Sequence, residues 1–234
     1  MRVLAVGAHP DDLEMLCGGT LARFVQEGHD VTMCHAARGD RGSYLTTMDE
    51  IARIRFGEAE AAATVLGATH RVVGLSDAEV SASDPEQRRS MVDMIRSVCP
   101  DLIITHGPDD YMPDHVETGR LVENASFIAT VPLYETEHPA TESVPPLLYM
   151  ETLAGVGFIP TEYVDISDVI ELKLEALACH HSQVDWLREH DGADTLGNTR
   201  VGNAYRGQQS GVGYAEGFRS SQRYLRQRTY RLLP

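Results

Sequence analysis

Apolar positions along the chain fall into two patterns, short unbroken runs and longer stretches with helical spacing. The runs RVLAVGA (2–8), DVTMCHAA (30–37), HRVVGL (70–75), DLIITH (101–106) and LLYMETL (147–153) have the length of strands. Such runs, with little polar interruption, suit strands buried on both faces of a parallel sheet. Leu13, Leu16, Leu21, Phe24 and Val25 repeat at helical spacing over 13–27, with Gly28 as a stop. Further helices are predicted over 49–66, stopped by Gly67, over 86–98, ended by Pro100, and over 114–129. Past Pro160 one helix is legible, 167–181, with Asp165 or Ser167 as its cap. The tail beyond Ser182, rich in Gly, Arg, Ser and Tyr, carries no assignable pattern.

Strands alternating with helices imply βαβ units with right-handed crossovers. The expected fold is α/β, a Rossmann-like three-layer sandwich with a mostly parallel sheet. One domain is expected over 1–234, with a Rossmann-like part (1–153) and a C-terminal extension (154–234) packed on it. In open sheets of this kind ligands sit beyond the carboxyl ends of the strands, where strand order switches direction. The switch should fall between the first strand and the fourth. AHPDD (8–12) and HGPDDYMPDH (106–115) should then face each other across one crevice.

Composition narrows the partners. At 234 residues and 42% hydrophobic content the chain can bury a full core, and its formal charge of -15 argues against nucleic acid or an anionic membrane as partner. No apolar stretch approaches the roughly 20 residues of a membrane span. The first apolar run begins at Val3, which leaves no room for a signal peptide. Cys17, Cys34, Cys99 and Cys179 are scattered without CxxC spacing and read as reduced residues of a cytoplasmic protein.

The turn after the first strand holds the chemistry. It lacks G-x-G-x-x-G, since His9 and Pro10 follow Gly7 and the pair Gly18–Gly19 comes too late, so a dinucleotide is disfavoured. Two adjacent carboxylates, Asp11 and Asp12, repel each other, and a dication would offset that repulsion and keep both ionised. Hydrolytic zinc sites take three ligands from His, Asp and Glu and leave one position for water. His9 and Asp12, three apart on a turn, can converge on one ion. The third ligand would come from the second segment, with His115 best placed and His106 its rival. Asp11 would then be free to take a proton from the metal-bound water, whose pKa zinc lowers from about 15.7 to roughly 7. Each residue alone has a plainer role: Asp11 or Asp12 as a helix cap, His9 as a turn residue. It is their combination that points to a metal.

These residues resemble the PIG-L/LmbE-like zinc-dependent N-deacetylases, which remove acetyl groups from N-acetylglucosamine-type sugars and their conjugates. The resemblance rests on AHPDDLE (8–14) and PDH (113–115), and extends to RIRFGEAEAAATVLG (53–67), ALACHHSQ (176–183) and RGQQSGVGYAEGFR (206–219). It implies a hydrolase of linear amides acting on a small N-acetylated sugar or conjugate, with one zinc per chain. It makes His9, Asp12 and His115 the ligands, Asp11 the general base and Asp114 a carboxylate that orients a neighbouring group. Arg55 matches the helix arginine that holds the sugar, its plain alternative being a surface salt bridge with Glu58 or Asp49. Asp77 lies near a substrate-contacting acid of the family, although a solvated loop is the simpler reading. Relatives are often homo-oligomers.

One departure stands out. Most relatives read His-Pro-Asp-His where this chain has MPDH, with Met112 in place of the first His. The resemblance gives that His the oxyanion or the departing amine, and a thioether serves neither. Losing an oxyanion donor costs about 10² to 10³ in rate. The candidate replacements are His106 and Tyr111 at the substrate, or a late-segment residue such as His180 or His181, these two having the plainer reading of helix-end residues favoured by the dipole. The glycine-rich loop 38–48 reads either as a lid or as plain surface. Two other functions compete. One is a metal-dependent phosphoesterase on the same fold, with Asp109 and Asp110 holding a second ion; the other is a sugar-binding protein with a weakened site.

Overall fold

The computed structural model describes residues 1–234. Five strands, β1 (Arg2–Gly7), β2 (Asp30–Ala37), β3 (Thr69–Leu75), β4 (Leu102–Thr105) and β5 (Leu147–Met150), alternate with α1 (Asp12–Gln26), α2 (Met48–Leu66), α3 (Pro85–Val98) and α4 (Pro113–Ile128). The chain then adds β6 (Glu162–Asp165), α5 (Ile170–Ala178), α6 (His181–Asp191), α7 (Thr195–Ser210) and β7 (Ala215–Ser220). All seven strands form one sheet in the order β3-β2-β1-β4-β5-β7-β6. β1 to β5 pair in parallel, and β7 enters antiparallel between β5 and β6.

Burial explains why β1 is central. Val3 to Gly7 are all buried, as the unbroken apolar run requires of a strand covered on both faces. One face of the sheet is covered by α1, α2 and α5, through Leu13, Phe24, Leu66 and Ile170. The other is covered by α3 and α4, through Met91, Ile95, Leu121 and Val122. The result is the expected three-layer arrangement. No helix is long and apolar enough to cross a membrane.

The C-terminal third departs from the expectation. The single helix over 167–181 is two helices, broken around His180, which sits at the cap of α6. Asp165 accepts bonds from the Ser167 amide (2.9 Å) and hydroxyl (2.6 Å), while Val169 starts α5 with no side-chain cap. β7 was hidden because its interior holds a buried acid. Glu216 accepts the Gly19 and Thr20 amides at 2.9 and 2.7 Å and pairs with Lys173 Nζ at 2.6 Å, all out of solvent.

The fold brings α4 close to the end of β4. A Cβ on Gly119 would collide with the His106 carbonyl oxygen, so only glycine permits that approach. This close seating sets His115, in the first turn of α4, against His106, the residue that follows β4.

Candidate active site

β1 and β4 are neighbours, with Val6 in register with Thr105, so the turn after β1 and the segment after β4 meet at one edge. This is the switch point expected to hold a ligand. His9, Asp12 and His115 each offer one ligand atom there, and these atoms all lie within 4.8 Å of one another.

Each side chain is held from behind. Asp12 Oδ2 accepts the His9 amide at 2.7 Å, while Oδ1 lies 3.2 Å from His115 Nε2. The far nitrogen of His115, Nδ1, lies 3.1 Å from Asp110 Oδ2. The far nitrogen of His9, Nε2, lies 2.9 Å from Asp114 Oδ2, and that oxygen is itself fixed by the Ala78 amide at 2.6 Å. Both imidazoles thus rest one nitrogen on a carboxylate and turn the other toward the shared centre. Metal-ligating histidines are supported this way. Both ring nitrogens of His115 are shut off from solvent without an aligned hydrogen-bond partner, as is Asp110 Oδ2. The donor set and its support fit a divalent cation.

Electrostatics agree with the crowding. Burial disfavours a charged His115, but Asp12 and the bond to Asp110 override it and lift its pKa to about 10. Burial likewise opposes ionisation of Asp12, yet His115 and His106 hold it well below the usual carboxylate range. Asp11 behaves differently. Burial pushes it up to about 6, with Arg55 pulling down and Asp12 pushing up. The metal-stripped protein has a consequence to measure. His115 titrates at 6.5 when unfolded and about 10 when folded, so its contribution is complete below pH 6.5 and is lost as pH rises toward 10. The urea midpoint of stripped protein should therefore fall across that window, and His115→Leu should remove most of the fall. An equal slope in the variant would contradict the pairing.

The site opens into a cleft of about 480 Å³. It is lined by the polar residues His9, Asp11, Asp12, Arg55, Asp114 and His115, and by the apolar or aromatic residues Met15, Tyr111, Met112, Leu153, Trp186 and Leu187. A larger groove, about 910 Å³, lies elsewhere, between Arg88, Phe127 and Arg226, and holds no metal-binding group. The chemistry therefore lies in the smaller space.

Asp11 occupies the cap position of α1 at φ 108°, yet makes no side-chain cap bond, so the plain capping role fails for it. Positive φ in a non-glycine residue is costly, and Asp is among the residues that tolerate it. Arg55 pairs with neither Glu58 nor Asp49. It is buried, donates to the Pro10 carbonyl at 2.5 Å, and lies 3.6 Å from Asp11 Oδ2. Tyr111 stands on the rim, 75% exposed.

His106 requires a correction. It is fully buried behind the site, stacked on His115 with centroids 3.9 Å apart, and its Nε2 accepts the Ala8 amide at 3.0 Å. Burial, with His115 beside it, pushes its pKa down to about 4. It is a neutral support under His115 that does not line the cleft, so it cannot touch a substrate there.

Other residues emerge only in three dimensions. Asp77 is buried rather than solvated, and its carboxylate accepts the Gly39 and Arg41 amides at 2.9 and 3.1 Å. With Gln183 donating to the Gly42 carbonyl at 2.9 Å, it clamps the stem of loop 38–48 to the site. His180 lies buried 3.2 Å from Glu14, not at a solvated helix end. Asp109 points away to Arg219 at 2.7 Å, whereas Asp110 joins His106 and His115 in a second group whose ligand atoms lie within 4.8 Å of one another and which shares His115 with the first.

The family model described as PIG-L: GlcNAc-PI de-N-acetylase matches residues 4–126, more than half of the chain. The chain belongs to the PIG-L family. Among PIG-L relatives, the diacetylchitobiose deacetylase of Thermococcus kodakarensis is 29% identical, over 93% of this chain and 82% of its own. The solved N,N'-diacetylchitobiose deacetylase of Pyrococcus horikoshii has a TM-score of 0.82 at 27% identity, covering 94% of this chain and 83% of that one. A 4-carboxy-2-hydroxymuconate hydratase from Pseudomonas putida KT2440 reaches 0.83 at 24% identity, over 99% and 100%. That last likeness is one of fold alone. Because folds host different chemistries, the site must carry the argument for activity within PIG-L.

Proposed function

We propose that this PIG-L chain is a zinc-dependent hydrolase of amide carbon–nitrogen bonds that removes the acetyl group from an N-acetylated amino sugar or sugar conjugate. The observation that carries the reading is the convergence of His9, Asp12 and His115 at the cleft, with Asp11 beside them and outside the group. Two imidazoles, one carboxylate and an open side toward the cleft suit a single catalytic zinc. The acetylated-sugar substrate is supported by the diacetylchitobiose deacetylases among the relatives. A cytoplasmic setting is supported by four free cysteines.

When bound, the ion supplies a Lewis acid for the acetyl carbonyl and lowers the pKa of water. The chain's own residues do the rest. Asp114 and Asp110 fix the rings of His9 and His115, so Nδ1 of the first and Nε2 of the second are the free donors. Asp11 Oδ2 faces Arg55, which leaves Oδ1 to receive the proton of the attacking water. A carboxyl held up near 6 is ionised at neutral pH yet basic enough to take that proton. Met112, which lines the cleft, has no proton to give. The proton collected by Asp11 is therefore the one available to the departing amine. Arg55 holds the Pro10 carbonyl and so fixes the turn that aims Asp11.

The test is acetate release from N-acetylglucosamine, diacetylchitobiose and related conjugates by zinc-loaded protein. Release that stops with a chelator and returns with zinc is expected. No release across the panel, with one zinc per chain bound, would favour a sugar-binding protein instead.

A further inference from the structure

The cleft has an aromatic wall that amide hydrolysis itself does not use. Trp186, the only tryptophan of the chain, lines the same cleft as Asp11, Asp12 and His115. Its ring lies nearly parallel to that of His190, with centroids 5.0 Å apart and 11° between planes. Tyr44, from the loop between β2 and α2, closes against both rings at 6.4 and 6.2 Å. The Gln183–Gly42 hydrogen bond ties that loop to α6, so the cluster is held across the cleft by more than its own contacts.

Two features set these rings apart from core packing. Tyr44 is 64% exposed, so the cluster lies at the protein surface, with Trp186 as its member that lines the cleft. The Trp186 indole N–H is shielded from solvent and has no hydrogen-bond partner, although shielded indole N–H groups normally find one. An aromatic ring lining the cleft among polar side chains suits a ligand that combines a flat apolar face with oxygen atoms at its edge. A pyranose has that form. So has an aryl group joined to a sugar.

We propose that Trp186, backed by His190 and Tyr44, is a specificity-determining residue that packs on such a ring face. The proposal rests on the deacetylase reading for which bond reacts, but its own test does not require turnover. Since Trp186 is the only tryptophan, its emission reports on this wall without a label. Zinc-loaded Asp11→Asn protein is titrated with N-acetylglucosamine, with the phenyl glycoside of N-acetylglucosamine, and with acetamide. A saturable emission change with a sugar and none with acetamide is expected. A response to the free sugar identifies the pyranose as the ring, and a response confined to the phenyl glycoside identifies the attached aryl group. Emission that never moves with either sugar, or that moves equally with acetamide, overturns the proposal.

Acetate release supplies the second readout. Trp186→Ala should raise KM about tenfold with kcat within about twofold. Trp186→Phe keeps a smaller ring, and should raise KM only about threefold. Unchanged KM in both variants overturns the proposal while leaving the deacetylase reading intact. Saturable emission changes in Asp11→Asn, with no acetate released by the wild-type protein, would do the reverse.

Discussion

Asp11→Asn is expected to lower kcat for acetate release by about 10³-fold while leaving one zinc per chain in place. The separation of effects follows from where the side chain lies. Asp11 is not among the three groups whose ligand atoms converge; its carboxylate faces Arg55 at 3.6 Å instead. Asn is the informative substitution because the residue sits at φ 108°, a region that Asn tolerates and that would strain Ala. Shape and backbone are kept, and the basic oxygen is lost. Metal analysis beside steady-state kinetics reads both arms. Full turnover in the variant removes Asp11 as the base, and loss of zinc makes it a ligand rather than a base.

The largest effect on stability is expected at a pair far from the chemistry. Lys173 and Glu216 are both buried, with 0% side-chain exposure, and meet at 2.6 Å. Breaking a buried pair by removing one partner costs about 3–5 kcal/mol, because the remaining charge is left without compensation. The two single variants should differ. In Lys173→Met, Glu216 still accepts the Gly19 and Thr20 amides, which soften the loss. In Glu216→Leu, a buried ammonium and two amides all lose their partner, so this variant should be the less stable. Urea midpoints decide the order, and a wild-type midpoint for Glu216→Leu would show that β7 is held by its apolar contacts alone.

How much of this was legible in the sequence depends on whether a feature is local. The unbroken apolar runs of β1 and β4 are local, and with the switch-point rule they were enough to place AHPDD opposite PDH. The family expected from those motifs is the family found. β7 was illegible because its acid at Glu216 is matched by a lysine 43 positions away. Asp77 read as a solvated loop because its partners, the amides of Gly39 and Arg41, belong to a different crossover. His106 misled for the opposite reason. Its position after β4 was right, but the close approach of α4 at Gly119 seals it beneath His115. Trp186 stood in a stretch with no assignable pattern, and only the HHSQ motif just before it hinted that this segment returns to the site. Met112, the clearest anomaly in the sequence, lines the cleft beside Pro113, and the only imidazoles that line it are those of His9 and His115.

The central claim is that one cation is held jointly by the ends of β1 and β4. Anomalous diffraction at the zinc edge from zinc-loaded crystals tests it most directly. A single peak per chain is expected, about 2.0–2.2 Å from a nitrogen of His9, an oxygen of Asp12 and a nitrogen of His115. A peak among His106, Asp110 and His115 with none at His9, or two peaks bridged by carboxylates, would contradict it.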